Sequence, residues 1–177
     1  MKEFILIDGS YFCFYRFFAI KMWYKSSHDG ESLDNPIENE EFVEKYCKTF
    51  QDSIKKLVKL YSIDKTSKPI IIVGKDCKHK ENWRHKYIEN YKGTRETDSS
   101  FSGDFIKMAY EEKELFKNAG AQYILKQSNL EADDCLAIAS KYLSEKYKEE
   151  VKITIITSDM DYLQLVRPNI SIFTLKK

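Results

Sequence analysis

The sequence has no uninterrupted apolar run of membrane-spanning length. Its most apolar stretch, YFCFYRFF after Gly9, is broken by Arg16 and Lys21, well short of the ~18 residues a span needs. The same interruption argues against a secretory leader, so no membrane partner is expected and the stretch reads as a buried helix. Net charge of one sign is also missing. At a formal +1 the chain exerts no global pull on nucleic acid, and any electrostatic footprint has to be local. The cysteines, Cys13, Cys47, Cys77 and Cys135, show no C-x-x-C spacing, which speaks against a disulfide framework and a zinc site and for a reduced, intracellular chain. Internal repeats and low-complexity tracts are lacking too. What remains is 177 residues, 42% of them hydrophobic, which suffices for one domain with a core of its own.

Short β-branched runs alternate with helical periodicities. Phe4–Ile7 reads as a strand, stopped by Asp8-Gly9-Ser10 and followed by the aromatic-rich helix. Residues 25–41 lack apolar periodicity and read as a surface loop. Phe42, Tyr46, Phe50, Ile54, Leu57 and Tyr61 recur every three or four residues, the mark of a long amphipathic helix. Ile70–Val73 is a second buried strand. Residues 77–103 are polar and lysine-rich, the segment expected to protrude. A helix from Asp104 carries Phe105, Met108, Ala109, Leu115 and Phe116, and Gly120 stops it. Strands at 123–125, 153–157 and 170–175 and a helix over about 130–147 complete the pattern. This is an α/β chain with a three-layer, mainly parallel central sheet and helices on both faces.

In such sheets ligands bind beyond the carboxyl ends of the strands, and here those ends are acidic. Asp8 follows the first strand and Asp76 the second. Glu131, Asp133 and Asp134 open the helix after the third, and Asp159 and Asp161 follow the fourth. Seven carboxylates brought to one edge raise each other's pKa unless bound cations relieve the repulsion. Oxygen-only donors select a hard ion, Mg2+ or Mn2+. Each piece also has an ordinary explanation. An Asp after a strand caps helices and turns, acids in a first helical turn suit its dipole, and Asp159-x-Asp161 fits an Asx turn or a phosphatase nucleophile motif. The joint pattern, with no Lys or Arg beside most of the acids, has no common structural reason.

Between Lys75 and Arg95 seven cations (Lys75, Lys78, Lys80, Arg84, Lys86, Lys92, Arg95) face three acids and interleave with Trp83, His85, Tyr87 and Tyr91. Cations neutralise phosphates and rings stack on bases, a combination suited to single-stranded or splayed nucleic acid. A solvated lysine-rich loop has the same composition. The start of this patch at an acidic strand end favours function.

The ordered pieces ILIDGSYFCFYR, GKD, WRHKYIENYKGTR, LEADDCLAIA and TSDMDYLQLV resemble the 5′-nuclease family of phage flap endonucleases and the nuclease domain of bacterial DNA polymerase I. The resemblance covers most of the chain and implies a PIN-like fold carrying a protruding helical arch over about residues 86–103. It implies that Asp8, Asp76, Glu131 and Asp133 hold a first ion, directly or through water. Asp134, Asp159 and Asp161 would serve a second ion or support the first, two ions in all. Lys92 and Arg95 match the catalytic cations that hold the scissile phosphate, and Tyr91 matches an aromatic on which the terminal base stacks. Arg16 and Arg84 join them as substrate contacts. The implied substrate is DNA with 5′ ends, flaps or junctions, with RNA primers as a further one.

Two features depart from the family. Arg16 lies one residue further from Asp8 than the arginine of many bacterial members. The helix-hairpin-helix-like region that grips duplex DNA in the family, and supplies a further aspartate to the second metal, has no counterpart in these residues. A C-terminal region or partner chain is therefore expected to complete the duplex grip. The expected reaction is in-line hydrolysis by metal-activated water, needing no histidine or covalent nucleophile. Two rivals stand beside it. One is a receiver-like signalling domain, which would place an acidic pair after the first strand instead of one Asp. The other is a nucleic-acid-binding module of the same fold with weak or no turnover.

Overall fold

The computed structural model describes residues 1–62, 68–93 and 101–175. Five strands form one parallel sheet in the order β3-β2-β1-β4-β5, with β1 Lys2–Asp8, β2 Ile70–Gly74, β3 Tyr123–Leu125, β4 Val151–Ile156 and β5 Ile170–Phe173. β1 pairs with β2 on one side, Ile5 opposite Ile71, and with β4 on the other, Ile5 opposite Thr154. The chain thus winds outward from β1 in one direction and returns to continue in the other. The resulting reversal beside β1 is where open parallel sheets bind ligands.

Alternation along β1 divides the core. Ile5 and Ile7 face one layer, where Phe12, Phe17, Tyr46, Phe50, Phe105 and Phe116 pack, and Phe4 and Leu6 face the other, with Leu136, Leu143, Ile153 and Ile155. Helices α1 (Gly9–Ser27), α2 (Glu40–Tyr61), α3 (Gly103–Lys107) and α4 (Leu115–Asn118) belong to the first layer, and α5 (Ala132–Tyr147) to the second. This is the expected three-layer, PIN-like architecture. Phe12 meets Phe50 edge-on at 4.9 Å, and Phe50 meets Phe116 at 4.8 Å. Truncating such a ring to alanine costs about 3–5 kcal/mol.

Three details differ from the sequence reading. α1 is not buried all round: Phe12, Cys13, Phe17, Ile20 and Tyr24 are covered, whereas Phe14, Phe18 and Met22 are 39%, 38% and 73% exposed. Its apolar residues exceed what one face can bury. α2 begins at Glu40 because Asn39 caps it, its side chain accepting from the Phe42 N–H at 2.9 Å. The helix expected from Asp104 is interrupted. A π-helical turn spans Met108–Glu112, and Glu114 adopts φ +43° before α4 restarts. Of the segment expected to form the arch, residues 87–93 carry turns and α3 begins at Gly103; residues 94–100 lie outside the described residues.

Two glycines bring the strand ends close to their neighbours. A Cβ on Gly9 would stand 2.6 Å from the Gly74 carbonyl oxygen and on top of the Tyr110 hydroxyl, which itself donates to that carbonyl at 2.8 Å. A Cβ on Gly74 would meet the Leu136 side chain at 2.9 Å and the Ala132 carbonyl at 3.0 Å. Both residues allow β1, β2 and α5 to converge where the acids lie.

Candidate metal centre

A cleft of about 230 Å³ opens at the carboxyl ends of β1, β2 and β4. Asp8, Asp76, Glu131, Asp133 and Asp159 line it, with Ser10, Tyr11, Phe14, Thr157, Ser158 and, as the single cation among the described residues, Lys92. The local reasons for their placement are the ordinary ones. Asp8 ends β1 and caps α1, Oδ1 accepting from the Tyr11 N–H at 3.1 Å. Asp76 accepts from the Ala132 N–H at 2.7 Å, so it caps a helix that starts 56 residues later, and from the Ser10 hydroxyl at 2.5 Å. Glu131 and Asp134 form a capping box on α5. Asp159 makes an Asx turn, Oδ1 accepting from the Asp161 N–H at 2.9 Å.

These duties do not remove the charge. Burial, reinforced by the neighbouring Asp76 and Asp133, outweighs the Tyr11 and Thr157 hydrogen bonds and raises the Asp8 pKa from 3.8 to about 6. Burial also raises Asp133, helped by Asp134 and Glu131. For Glu131, burial opposes ionisation, but Lys92, Tyr91 and Asn82 outweigh it and hold the carboxyl below its usual range. Lys92 Nζ donates to Glu131 Oε1 at 2.5 Å, and the Tyr91 hydroxyl donates to Oε2 at 2.8 Å. Lys92 reaches this position from a left-handed backbone, φ +57°.

Asp134 and Asp161 do not line the cleft. They face an adjoining hollow of about 120 Å³ together with Arg84, Asp133 and Tyr162. Arg84 grips Asp134 with two parallel bonds, Nη1 to Oδ2 at 2.7 Å and Nη2 to Oδ1 at 3.0 Å. Burial opposes ionisation of Asp134, but Arg84, the Glu131 N–H and Trp83 outweigh it and lower its pKa. Asp161 is exposed. Most of the seven acids have no cation partner among the described residues, but three do: Arg84 and Lys92, remote in sequence, pair with Asp133, Asp134 and Glu131. Arg84, expected as a substrate contact, is turned to protein carboxylates. Arg16 is not brought to the cleft. Its guanidinium lies 5.7 Å from the Tyr15 ring, and its Nε is buried without a hydrogen-bond partner. Arg95 lies outside the described residues.

Sequence reasoning missed the hydroxyls. Thr157 and Tyr162 approach Asp8 Oδ2 at 3.3 and 3.4 Å, and Ser10 holds Asp76. Their adjacency to the acids, in DGS and TSDMDY, was the available signal. It also missed a groove of about 840 Å³ beside the cleft, formed by Phe14, Tyr15, Phe18, Met22 and Leu175. Tyr11, Phe14 and Ser158 belong to both.

The oxygen-only donor set, and the raised proton affinity that burial and like charges give Asp8, fit a hard divalent cation. Among the described residues no three His, Cys, Asp or Glu side chains already stand in ligating arrangement.

Residues 3–177 match the family described as the 5′-3′ exonuclease, N-terminal resolvase-like domain, and the chain belongs to that family of nuclease domains. Its fold is similar to that of three solved bacteriophage T5 structures. One is a T5 protein co-crystallised with metal ions (16% identity, TM-score 0.57). Another is T5 5′-exonuclease with bound zinc (20%, 0.59), and the third a variant T5 flap endonuclease in a pseudo-enzyme-product complex with DNA and metal ions (17%, 0.56). Each comparison covers 98% of this chain and 55% of the other, so the chain spans little more than half the length of these structures. A comparison with curated proteins finds no match.

Proposed function

We propose that this domain hydrolyses phosphodiester bonds at 5′ ends or flaps of DNA with the help of Mg2+ or Mn2+, two ions in the complete site. RNA primers are a further substrate, and a C-terminal region or partner chain supplies the duplex grip. The observation that carries this reading is the cleft itself, lined by five carboxylates and the Lys92 ammonium at the switch point of a parallel sheet.

Asp8, Asp76, Asp133 and Asp159 would hold the cation at the cleft, joined by Glu131 when Lys92 is drawn away, with Asp161 toward a second ion. A bound divalent cation lowers the pKa of its water and stabilises charge on the leaving oxygen. The chain's own residues do the rest. Lys92 meets the phosphate entering the cleft and offers its ammonium to the charge that builds up in the transition state. Arg95 is the second such cation. Ser10, Thr157 and Tyr162 fix the Asp76 and Asp8 carboxylates in orientation. Tyr91 and the exposed ring of Phe14 give bases flat surfaces at the cleft's edge. The aromatic groove running on from Phe14 extends that surface.

A second reading, DNA binding without turnover, is favoured by one observation: Glu131 is held by Lys92, Tyr91 and Arg84, away from a ligating arrangement. Titrating Mg2+ or Mn2+ into the protein with a 5′-flap substrate separates the two. Metal-dependent release of the flap supports the nuclease; DNA binding with no cleavage at any metal concentration supports the module.

A further inference from the structure

The segment from Trp83 to Gly93 touches the start of α5 twice. At its beginning, the Trp83 N–H donates to the Asn129 carbonyl at 3.0 Å, Trp83 Nε1 to Asp134 Oδ2 at 3.3 Å, and Arg84 grips both oxygens of Asp134. At its end, Tyr91 and Lys92 bind Glu131. The two contacts meet, since Arg84 Nη1 also lies 3.1 Å from Glu131 Oε2. The Glu131 N–H in turn donates to Asp134 Oδ2 at 3.1 Å.

Asp134 Oδ2 therefore receives three donors and Oδ1 one, which uses up most of the carboxylate's accepting capacity. Arg84 is occupied as fully. Besides Asp134 and Glu131 it lies 3.6 Å from Asp133, with its guanidinium 4.9 Å from the Trp83 ring and 5.7 Å from the Tyr91 ring. Neither residue lines the cleft. A planar bidentate pair fixes orientation as well as distance, which a lysine cannot reproduce.

We propose that Arg84 and Asp134 are positioning residues, a clamp that locks the basic segment onto the first turn of α5 so that Lys92 is aimed into the cleft and Tyr91 is held beside it on Glu131. The pair contacts neither metal nor phosphate. It acts through Lys92, and this deepens the nuclease reading, on which it rests.

The test uses Arg84→Lys, Asp134→Asn and the double variant in the whole chain. Mn2+ affinity is read by electron paramagnetic resonance. Affinity for a 5′-flap duplex is read in Ca2+, and the single-turnover cleavage rate in Mg2+. Lys92 accessibility is read by competitive acetylation and mass spectrometry. The clamp predicts metal and DNA affinities within about twofold of wild type, cleavage slowed about tenfold or more, and a double variant no slower than the worse single one. It also predicts that Lys92 is acetylated several times faster. Mn2+ binding weakened about tenfold in Asp134→Asn would make that residue a ligand and overturn the proposal. DNA binding weakened to the same degree in Arg84→Lys would make Arg84 a phosphate contact, with the same result. Unchanged Lys92 acetylation overturns it whatever the activity. Should these variants fail to fold, Trp83→Phe removes one donor to Asp134 and is expected to raise Lys92 acetylation and slow cleavage severalfold; no change in either sinks the clamp. A wild-type chain that cleaves nothing refutes the nuclease reading alone, because the acetylation result still decides the clamp.

Discussion

Replacing Asp8 by asparagine should stabilise the metal-free protein while abolishing its proposed activity. The Asp8 carboxyl binds its proton more tightly in the folded chain, with a pKa raised from 3.8 to about 6. Each tenfold change in proton affinity is worth about 1.4 kcal/mol, so ionising this group weakens the fold by up to about 3 kcal/mol. Water in the open cleft screens part of that, leaving about 2 kcal/mol. The sign follows from linkage. A carboxyl with a raised folded-state pKa carries no penalty below 3.8, accumulates it as pH rises to about 6, and carries it in full above. Asparagine keeps the cap on α1, because its oxygen still accepts from Tyr11, and the Thr157 and Tyr162 hydroxyls can reverse to accept from its amide. The expected gain at pH 8 in a chelator is roughly 4–8 °C in melting temperature, shrinking below pH 6. Circular-dichroism melts at pH 8 and pH 5 read it directly. A variant that melts at or below the wild-type temperature at pH 8 refutes the picture of a cleft strained by like charges.

Adding Mn2+ should raise the melting temperature of the wild type more than that of Asp8→Asn, since binding to the native state alone stabilises it; equal shifts in differential scanning calorimetry would remove Asp8 from the site. Asp159→Ala should eliminate flap cleavage with a melting temperature within a few degrees of wild type, and gross unfolding would demote Asp159 to a turn former. Lys92→Ala should slow single-turnover hydrolysis about 100-fold while weakening DNA binding in Ca2+ no more than about threefold, and equal losses would make it a general phosphate contact. Gly9→Ala should destabilise the fold by about 2–3 kcal/mol in urea titrations, because the added methyl meets the Gly74 carbonyl oxygen and Tyr110. A neutral effect would show that β1 and β2 are less tightly joined there.

The sheet was legible because its strands are β-branched runs bounded by turn residues, and Ile70–Val73 is a clear instance. The start of α2 was missed by two residues because Asn39, not the apolar period, sets it. The break at Glu114 has no propensity signal; the packing of Leu115 and Phe116 into the core favours a restart there over a continuous helix. In the site, residues adjacent to strands could be read directly, and Asp8, Asp76, Glu131, Asp133 and Asp159 do reach one cleft. Charge pairing could not. Arg84 lies 50 residues before Asp134 and Lys92 39 before Glu131, so composition presented both as free cations in a basic patch. Arg16 does not line the cleft. One residue on a helix turns a side chain by about 100°, and here the guanidinium lies 5.7 Å from the Tyr15 ring.

The ordinary and the functional explanations of these acids turn out not to compete. Asp8, Asp76, Glu131, Asp134 and Asp159 each cap a helix or close a turn, as a structural reading demands, but on Asp8 and Asp159 those bonds leave acceptor capacity unused. Asp8 gives Oδ1 to Tyr11 and holds two hydroxyls at long range on Oδ2. Asp159 gives Oδ1 to Asp161. A backbone N–H or hydroxyl that occupies one lone pair also fixes where the remaining ones point, and this is how ligating carboxylates are held ready for a cation. Asp134, with four donors, shows the contrary case, a carboxylate whose accepting capacity is mostly taken up by the protein itself. On the proposed function, what separates a structural acid from a ligating one in this chain is unspent lone pairs. That quantity depends on partners up to 154 residues distant and has no counterpart in local sequence.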